Sequence, residues 1–142
     1  MTRRFMLDTD VASYLIRGQS LSRTAGLQDV APHLTCLSAV THGELRSGLA
    51  RNPTAHRLAR AVELFLGGIE TLPWDTQTAD RYGIVRADLE RRGRPIGALD
   101  QMIAAQALAT DATLITRNTR HFGEVDGLRI LAWKDQERAT LR

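Results

Sequence analysis

The sequence predicts an α/β protein, a three-layer α/β/α sandwich with a central parallel sheet of about four to five strands. Two observations carry this expectation. Short apolar runs alternate with helix-periodic stretches along the chain, which is the pattern of βαβ units. Several of those runs also lead straight into residues that cap helices well, as at Asp8, Ser38 and Asp75. A length of 142 residues fits one domain around one core, and no repeat, low-complexity segment or linker divides it, so residues 1–142 are expected to form a single domain.

Taken in order, Phe5-Met6-Leu7 is the first strand, and it delivers Asp8-Thr9-Asp10 to its C-terminal end. In open α/β sheets ligands bind at that edge, although Asp8, Thr9 or Asp10 can equally be the N-cap of the next helix. That helix covers 11–16, with Val11 and Leu15 four apart and Gly18 as its stop. A short helix after Ser20 carries Leu21, Ala25 and Val30 and ends at Pro32. Leu34 to Leu37 is the second strand, and Ser38 is placed to cap a helix over 39–50. On that helix Glu44 shares a face with Val40 and borders the Thr41, Leu45 and Leu49 stripe, while Gly43, Ser47 and Gly48 are small enough for close backbone approach.

After the break at Asn52-Pro53-Thr54, a helix over 55–66 carries Leu58, Val62 and Phe65 at helical spacing. Ile69 to Leu72 is a third strand. Asp75 caps a helix reaching Arg92, with Ala79, Tyr82, Val85 and Leu89 on one face and Asp88, Glu90, Arg91 and Arg92 in solvent. The turn-rich Gly93 to Gly97 precedes an alanine-rich helix over 98–110, buried nearly all round and carrying one charge, Asp100. An acid in a first helical turn is favoured by the dipole, but that does not explain why the only charge stands there. Ala112 to Thr116 is a fourth strand running into the polar Arg117 to His121, and Leu128 to Leu131 is an edge strand. From Asp135 onward a short helix or a frayed tail is expected.

Composition narrows the classes. Hydrophobic residues make up 43% and charged residues 25%, ordinary for a soluble globular protein. No apolar run approaches the roughly 20 residues of a membrane span, and Phe5-Met6-Leu7 is too short for a signal-peptide core, so the expected location is cytoplasmic. Cys36 is the only cysteine, which excludes an internal disulfide and a cysteine-based zinc site. The net charge of +3 is compatible with a polyanionic partner. Lys134 is the only lysine, a bias that suits phosphate recognition by arginine and equally suits a GC-rich genome.

Asp8, Glu44 and Asp100 each lie at a strand end or in the helix after one, positions that converge on one edge of a parallel sheet. A lone buried carboxylate such as Glu44 could be neutralised by an arginine. Three that converge repel one another and call for a cation, and oxygen ligands suit Mg²⁺ or Mn²⁺. A phosphate ester is the natural substrate of such a centre.

Four stretches occur here in the order seen in PIN domains: Leu7-Asp8-Thr9-Asp10, Leu37 through Leu45, Pro95 through Ala105 and Leu114 through Phe122. The chain resembles the VapC-type toxins of type II toxin–antitoxin modules over nearly its whole length. That resemblance implies a PIN-like fold and an Mg²⁺-dependent endoribonuclease, with Mn²⁺ as a substitute, acting on tRNA or other structured RNA. It also implies a VapB-type antitoxin whose C-terminal segment docks near the active site, a homodimer, and a heterotetramer or larger assembly with the antitoxin. By the same resemblance Asp8, Glu44 and Asp100 are the catalytic acids, with Asp8 and Asp100 on the metal. Thr9, Ser38, Thr116 and Asn118 support them, and Arg117 and Arg120 meet RNA phosphates or remain solvated surface residues. The chain departs from the fuller family pattern after the last core strand, where Asn118 and His121 stand in place of a fourth acid, and a single metal ion is expected.

Two rivals are weaker. A haloacid-dehalogenase-type phosphatase also opens on a strand ending in Asp-x-Asp, as Asp8 and Asp10 do, but it needs a lysine and a later acidic pair. Lys134 stands near the C-terminus and no two acids are adjacent. A PIN-like fold that binds RNA or protein without cutting has only the missing fourth acid in its favour. Asp10, without a phosphatase around it, reads as a helix cap or a residue behind the metal ligands.

Overall fold

Strands lead into helices here with almost no loop, because a side chain at each junction takes up backbone N–H groups that the first helical turn leaves free. β1 (Phe5–Leu7) passes directly into α1 (Thr9–Ile16): Asp8 is extended and its carboxylate accepts the Val11 N–H at 2.8 Å. Gly18, at φ +99°, follows the end of α1 in a conformation that suits glycine. β2 (Thr35–Ser38) ends on Ser38, whose hydroxyl accepts the Val40 N–H at 3.0 Å and opens α2 (Ala39–Arg51). α3 (His56–Gly67), β3 (Glu70–Leu72) and α4 (Thr76–Arg91) follow, and α4 is capped by Asp75 through the Thr78 N–H at 2.9 Å. The chain continues with α5 (Ala98–Ala109), β4 (Thr113–Thr116), α6 (Thr119–Phe122) and β5 (Ile130–Ala132).

This computed structural model describes residues 3–21 and 27–134. The center of the helix expected after Ser20 and the helix or tail expected from Asp135 lie outside the described residues. Val30 is buried but belongs to no helix, and α6 is a short helix in a stretch expected to be merely polar. Among the described residues no helix is long and apolar enough to cross a membrane.

The five strands pair in parallel in the order β3-β2-β1-β4-β5. β1 is central. Chain order runs outward from it through β2 to β3, then returns to β4 on its other side, which makes the β1–β4 boundary a topological switch point. Side chains alternate across the sheet. Met6, Cys36 and Leu114 are level with one another and pack with Val85, Leu89 and Ile103 of α4 and α5. Leu7, Leu37 and Ile115, one residue on, pack on the other face with Val11, Leu45 and Val62 of α1, α2 and α3. The expected three layers are present, with five strands in the middle one.

α5 is tied to the end of β3 by polar side chains as well as by packing. The fully buried Gln106 donates from Nε2 to the carbonyls of Leu72 at 3.1 Å and Pro73 at 2.9 Å. Trp74 Nε1 donates to the Met102 carbonyl at 3.0 Å. The expected close approach at Gly43 and Gly48 is absent: a Cβ at either would meet nothing within 4 Å. Those glycines face open space along α2, and the packing of that helix is carried by Thr41 and Leu45. Asp88, Glu90, Arg91 and Arg92 are surface residues as expected, joined by i,i+3 and i,i+4 ion pairs with Arg86 that contribute little to stability.

Candidate active site

Asp8 is fixed from both sides. One carboxylate oxygen takes the Val11 N–H as the α1 cap, and the other accepts the Thr116 hydroxyl from the end of β4. Thr116 Oγ1 accepts the Asn118 N–H at 2.9 Å, which leaves its own proton for Asp8. Capping α1 therefore occupies only one oxygen of Asp8, and the other is turned to the end of β4. The side chain is only 4% exposed, and its pKa is pushed up from 3.8 to about 6. Burial is the main cause; the Thr116 and Val11 hydrogen bonds oppose it, and the charges of Asp10 and Asp100 add to it.

Glu44 is held across the α1–α2 contact. Thr9 Oγ1 donates to Glu44 Oε1 at 2.7 Å and lies 3.2 Å from the hydroxyl of the buried Thr41. Because the Thr9 proton is committed to Glu44, Thr41 is the donor of that pair, and a relay Thr41–Thr9–Glu44 results. No arginine neutralises Glu44 among the described residues; the threonine pair takes the place of the expected partner. Thr41, hidden in an apolar stripe, carried no signal of this role in the sequence.

Asp100, in the first turn of α5, is half-buried and has a raised pKa, first from burial, then from the charges of Glu44 and Asp10, with His121 opposing. Asp10 is not the helix cap suggested by its position. It stands exposed in the first turn of α1, and its charge raises the pKa of both Asp8 and Asp100. The acidic edge thus comprises Asp8, Asp10, Glu44 and Asp100, and among the described residues none of them forms an ion pair with arginine or lysine. No three of the described His, Cys, Asp or Glu side chains stand close enough to enclose a metal ion by themselves. The donor set nevertheless suits a hard divalent cation: it is all oxygen, partly desolvated and self-repelling, and Mg²⁺ commonly takes one or two carboxylates and keeps several waters.

The remaining expected residues divide. Ser38 is fully buried and spent on capping α2. Asn118 caps α6, its Oδ1 accepting the His121 N–H at 3.4 Å while its Nδ2 lies 3.0 Å from His121 Nδ1. Oδ1 therefore faces a donor, and the side-chain amide links α6 to the His121 ring. Arg120 is exposed. Arg117 lies over the Tyr14 ring, 4.4 Å from its centroid, and donates to the Tyr14 hydroxyl. A cleft of about 330 Å³ beside the acids is lined by Thr9, Ser13, Arg17, Glu44 and Arg51 among others. A larger groove of about 470 Å³ lies between α4 and the segment at Val125 and Asp126; none of the four acids lines it, so it is not the site.

Thr116→Val tests the support of Asp8. It removes the donor to Asp8 and the acceptor for the Asn118 N–H inside a fully buried position, so stability falls by about 1–3 kcal/mol. The Asp8 carboxyl titrates still higher, because the bond that lowers its pKa is gone. Chemical denaturation checks the first and carboxyl NMR titration the second; Thr116→Ser retains the wild-type values if the hydroxyl is the cause.

Comparison with known proteins identifies the family and the fold. The family model described as PIN domain matches residues 5–128. The chain is 35% identical over 130 residues to the tRNA(fMet)-specific endonuclease VapC of Shigella flexneri, covering 92% of this chain and 98% of that one. Among solved structures, the DNA-bound VapBC of Salmonella typhimurium superposes with a TM-score of 0.84 at 34% identity, over 94% of this chain and 100% of the other. VapBC2 of Rickettsia felis, bound to a DNA fragment from its promoter, gives a TM-score of 0.82 at 27% identity, over 92% and 98%.

Proposed function

The chain belongs to the PIN-domain family, and from that premise we propose that it is the VapC-type toxin of a type II toxin–antitoxin module, an endoribonuclease that hydrolyses RNA phosphodiester bonds. The observation that supports this reading best is the cluster of Asp8, Asp10, Glu44 and Asp100 at the carboxyl edge of the sheet, two of them with raised pKa and none paired with a basic side chain among the described residues. Mg²⁺, with Mn²⁺ as a substitute, is the cation this donor set fits, and Asp8 and Asp100 would hold it. When bound, it would polarise the scissile phosphate and lower the pKa of the attacking water.

The protein groups supply position and proton acceptance. Val11 and Thr116 fix both oxygens of Asp8, so its carboxylate presents one orientation. Thr9 holds Glu44 through Oε1 and leaves Oε2 for a proton from the water that attacks phosphorus. The P–O3′ bond breaks, the 3′ oxygen takes its proton from a surrounding water molecule, and the products are a 5′-phosphate and a 3′-hydroxyl. No 2′-hydroxyl nucleophile is needed. Structured RNA such as tRNA is the substrate class, in keeping with the Shigella relative. A VapB-type antitoxin neutralises the enzyme, and the pair forms a heterotetramer or larger assembly around a homodimer of this chain, in the cytoplasm where its RNA is found.

Protein freed of antitoxin and incubated with tRNA and Mg²⁺ is expected to give discrete fragments with 5′-phosphate ends. EDTA abolishes cleavage and added Mn²⁺ restores it. Cleavage that survives EDTA, or fragments ending in 2′,3′-cyclic phosphate, would overturn the mechanism; tight RNA binding with no cutting under any divalent ion would mark an RNA-binding module instead.

A further inference from the structure

We infer that Tyr14 is a positioning residue for RNA: it holds Arg117 at the rim of the acidic edge as the contact for a backbone phosphate beside the scissile one. The inference rests on the endoribonuclease reading above. Arg117 directly follows Thr116, the residue that fixes Asp8, so its backbone is anchored to the site. Its guanidinium carbon stands over the Tyr14 ring, 4.4 Å from the centroid, and Nη1 donates to the Tyr14 hydroxyl. Tyr14 is itself braced on its ring by the buried Trp133, at 6.1 Å and 21° between planes. Trp133 continues the β5 edge, and its N–H donates to the Thr116 carbonyl at 2.8 Å. Three separate segments thus converge to give one guanidinium a defined place.

That place is informative. Tyr14 stands four residues after Asp10 on α1, so the two share a face about one helical turn, roughly 5–6 Å, apart. The nearby acids repel a phosphodiester chain, and a cation one turn away offsets that repulsion for the neighbouring phosphate. Arginine suits the task, since its planar fork matches phosphate while its face rests on an aromatic ring. A stacked guanidinium also loses less freedom on binding than an unsupported one.

The test is a double-mutant cycle with tRNA as substrate. Arg117→Ala is expected to raise KM about tenfold with little change in kcat, and to reduce the slope of log binding constant against log salt by about 0.7–0.9, one phosphate contact. Tyr14→Leu raises KM about three- to fivefold, the loss expected of one cation–π support. Tyr14→Phe, which keeps the ring and its packing on Trp133, has a smaller effect of the same kind. In the Arg117→Ala background neither Tyr14 substitution adds anything, because its action passes through the arginine. Tyr14 effects that persist undiminished without Arg117, or an unchanged salt slope in Arg117→Ala, would overturn the inference while wild-type cleavage stands. Absence of divalent-dependent cleavage by the wild type would instead overturn the reading beneath it.

Discussion

Asp8→Asn is expected to reduce RNA cleavage by about 10³-fold or more, the scale of losing several kcal/mol of metal-assisted catalysis, while making the metal-free protein more stable at neutral pH. The two effects have one origin. The Asp8 carboxyl has a pKa near 6 in the fold against an ordinary 3.8, so between those values the native state binds more protons than the unfolded chain. Stability from this group is therefore highest at low pH, falls as pH rises through about 4 to 6, and remains reduced above that. Asparagine removes the charge. It keeps the oxygen that accepts from Val11 and sacrifices the acceptor facing Thr116, so the net gain is about 1–2 kcal/mol, a rise of roughly 5 °C in Tm for a chain of this size. Below about pH 4 the charge penalty is gone and the lost bond to Thr116 remains, so the Tm of the variant falls below that of the wild type. Added Mg²⁺ raises the Tm of the wild type and leaves that of the variant nearly unchanged. Thermal scans across pH, alongside cleavage assays, read all of this; a variant less stable than wild type at neutral pH and still active would refute the assignment of Asp8.

Gln106→Leu is the second large effect, and it is one of stability. The leucine is close to glutamine in size, so little space opens. The buried Leu72 carbonyl and the part-buried Pro73 carbonyl lose the Nε2 donor that serves both, a loss partly offset because the buried Gln106 Oε1, which has no partner among the described residues, goes with it. The expected cost is about 1–3 kcal/mol, or a fall of roughly 5 °C in Tm. The bridge joins α5 to the end of β3, so the damage reaches the helix that carries Asp100. Hydrogen exchange is expected to show α5 opening at lower free energy than α1 in the variant, and equal losses across the molecule would refute a local role for the bridge.

The parts legible in the sequence were those where a residue contradicted its surroundings. Asp100 was the only charge in an alanine-rich helix, Glu44 bordered an apolar stripe, and Asp8 ended a strand. Each of these conflicts marked an edge where side chains from distant segments meet. Of the two readings of Asp10, helix cap or residue behind the ligands, the first fails; it suggested itself because an acid at the start of a helix already has an ordinary reason to be there. The cap is Asp8, and the charge of Asp10 bears on the site instead. Thr41 and Gln106 were invisible, since a threonine or glutamine among apolar neighbours carries no periodic signal of the partner it will bond. Tyr14 and Arg117 lie 103 positions apart, and no local pattern joins them. Gly43 and Gly48 misled in the other direction, their small size suggesting a contact that the fold does not make.

The placement of β1 at the centre of the sheet also sets when activity can arise. β1 is the earliest of the five strands to be synthesised, yet one of its flanks stays unpaired until β4 is made, and the bond from Thr116 to Asp8 closes a span of 108 positions. Contacts of such long range form late, after the loop-closure entropy of the whole intervening chain has been overcome. A nascent chain therefore carries Asp8 and Glu44 through most of its synthesis before the edge they occupy exists, and Asp8 gains its Thr116 partner only in the step that completes the sheet.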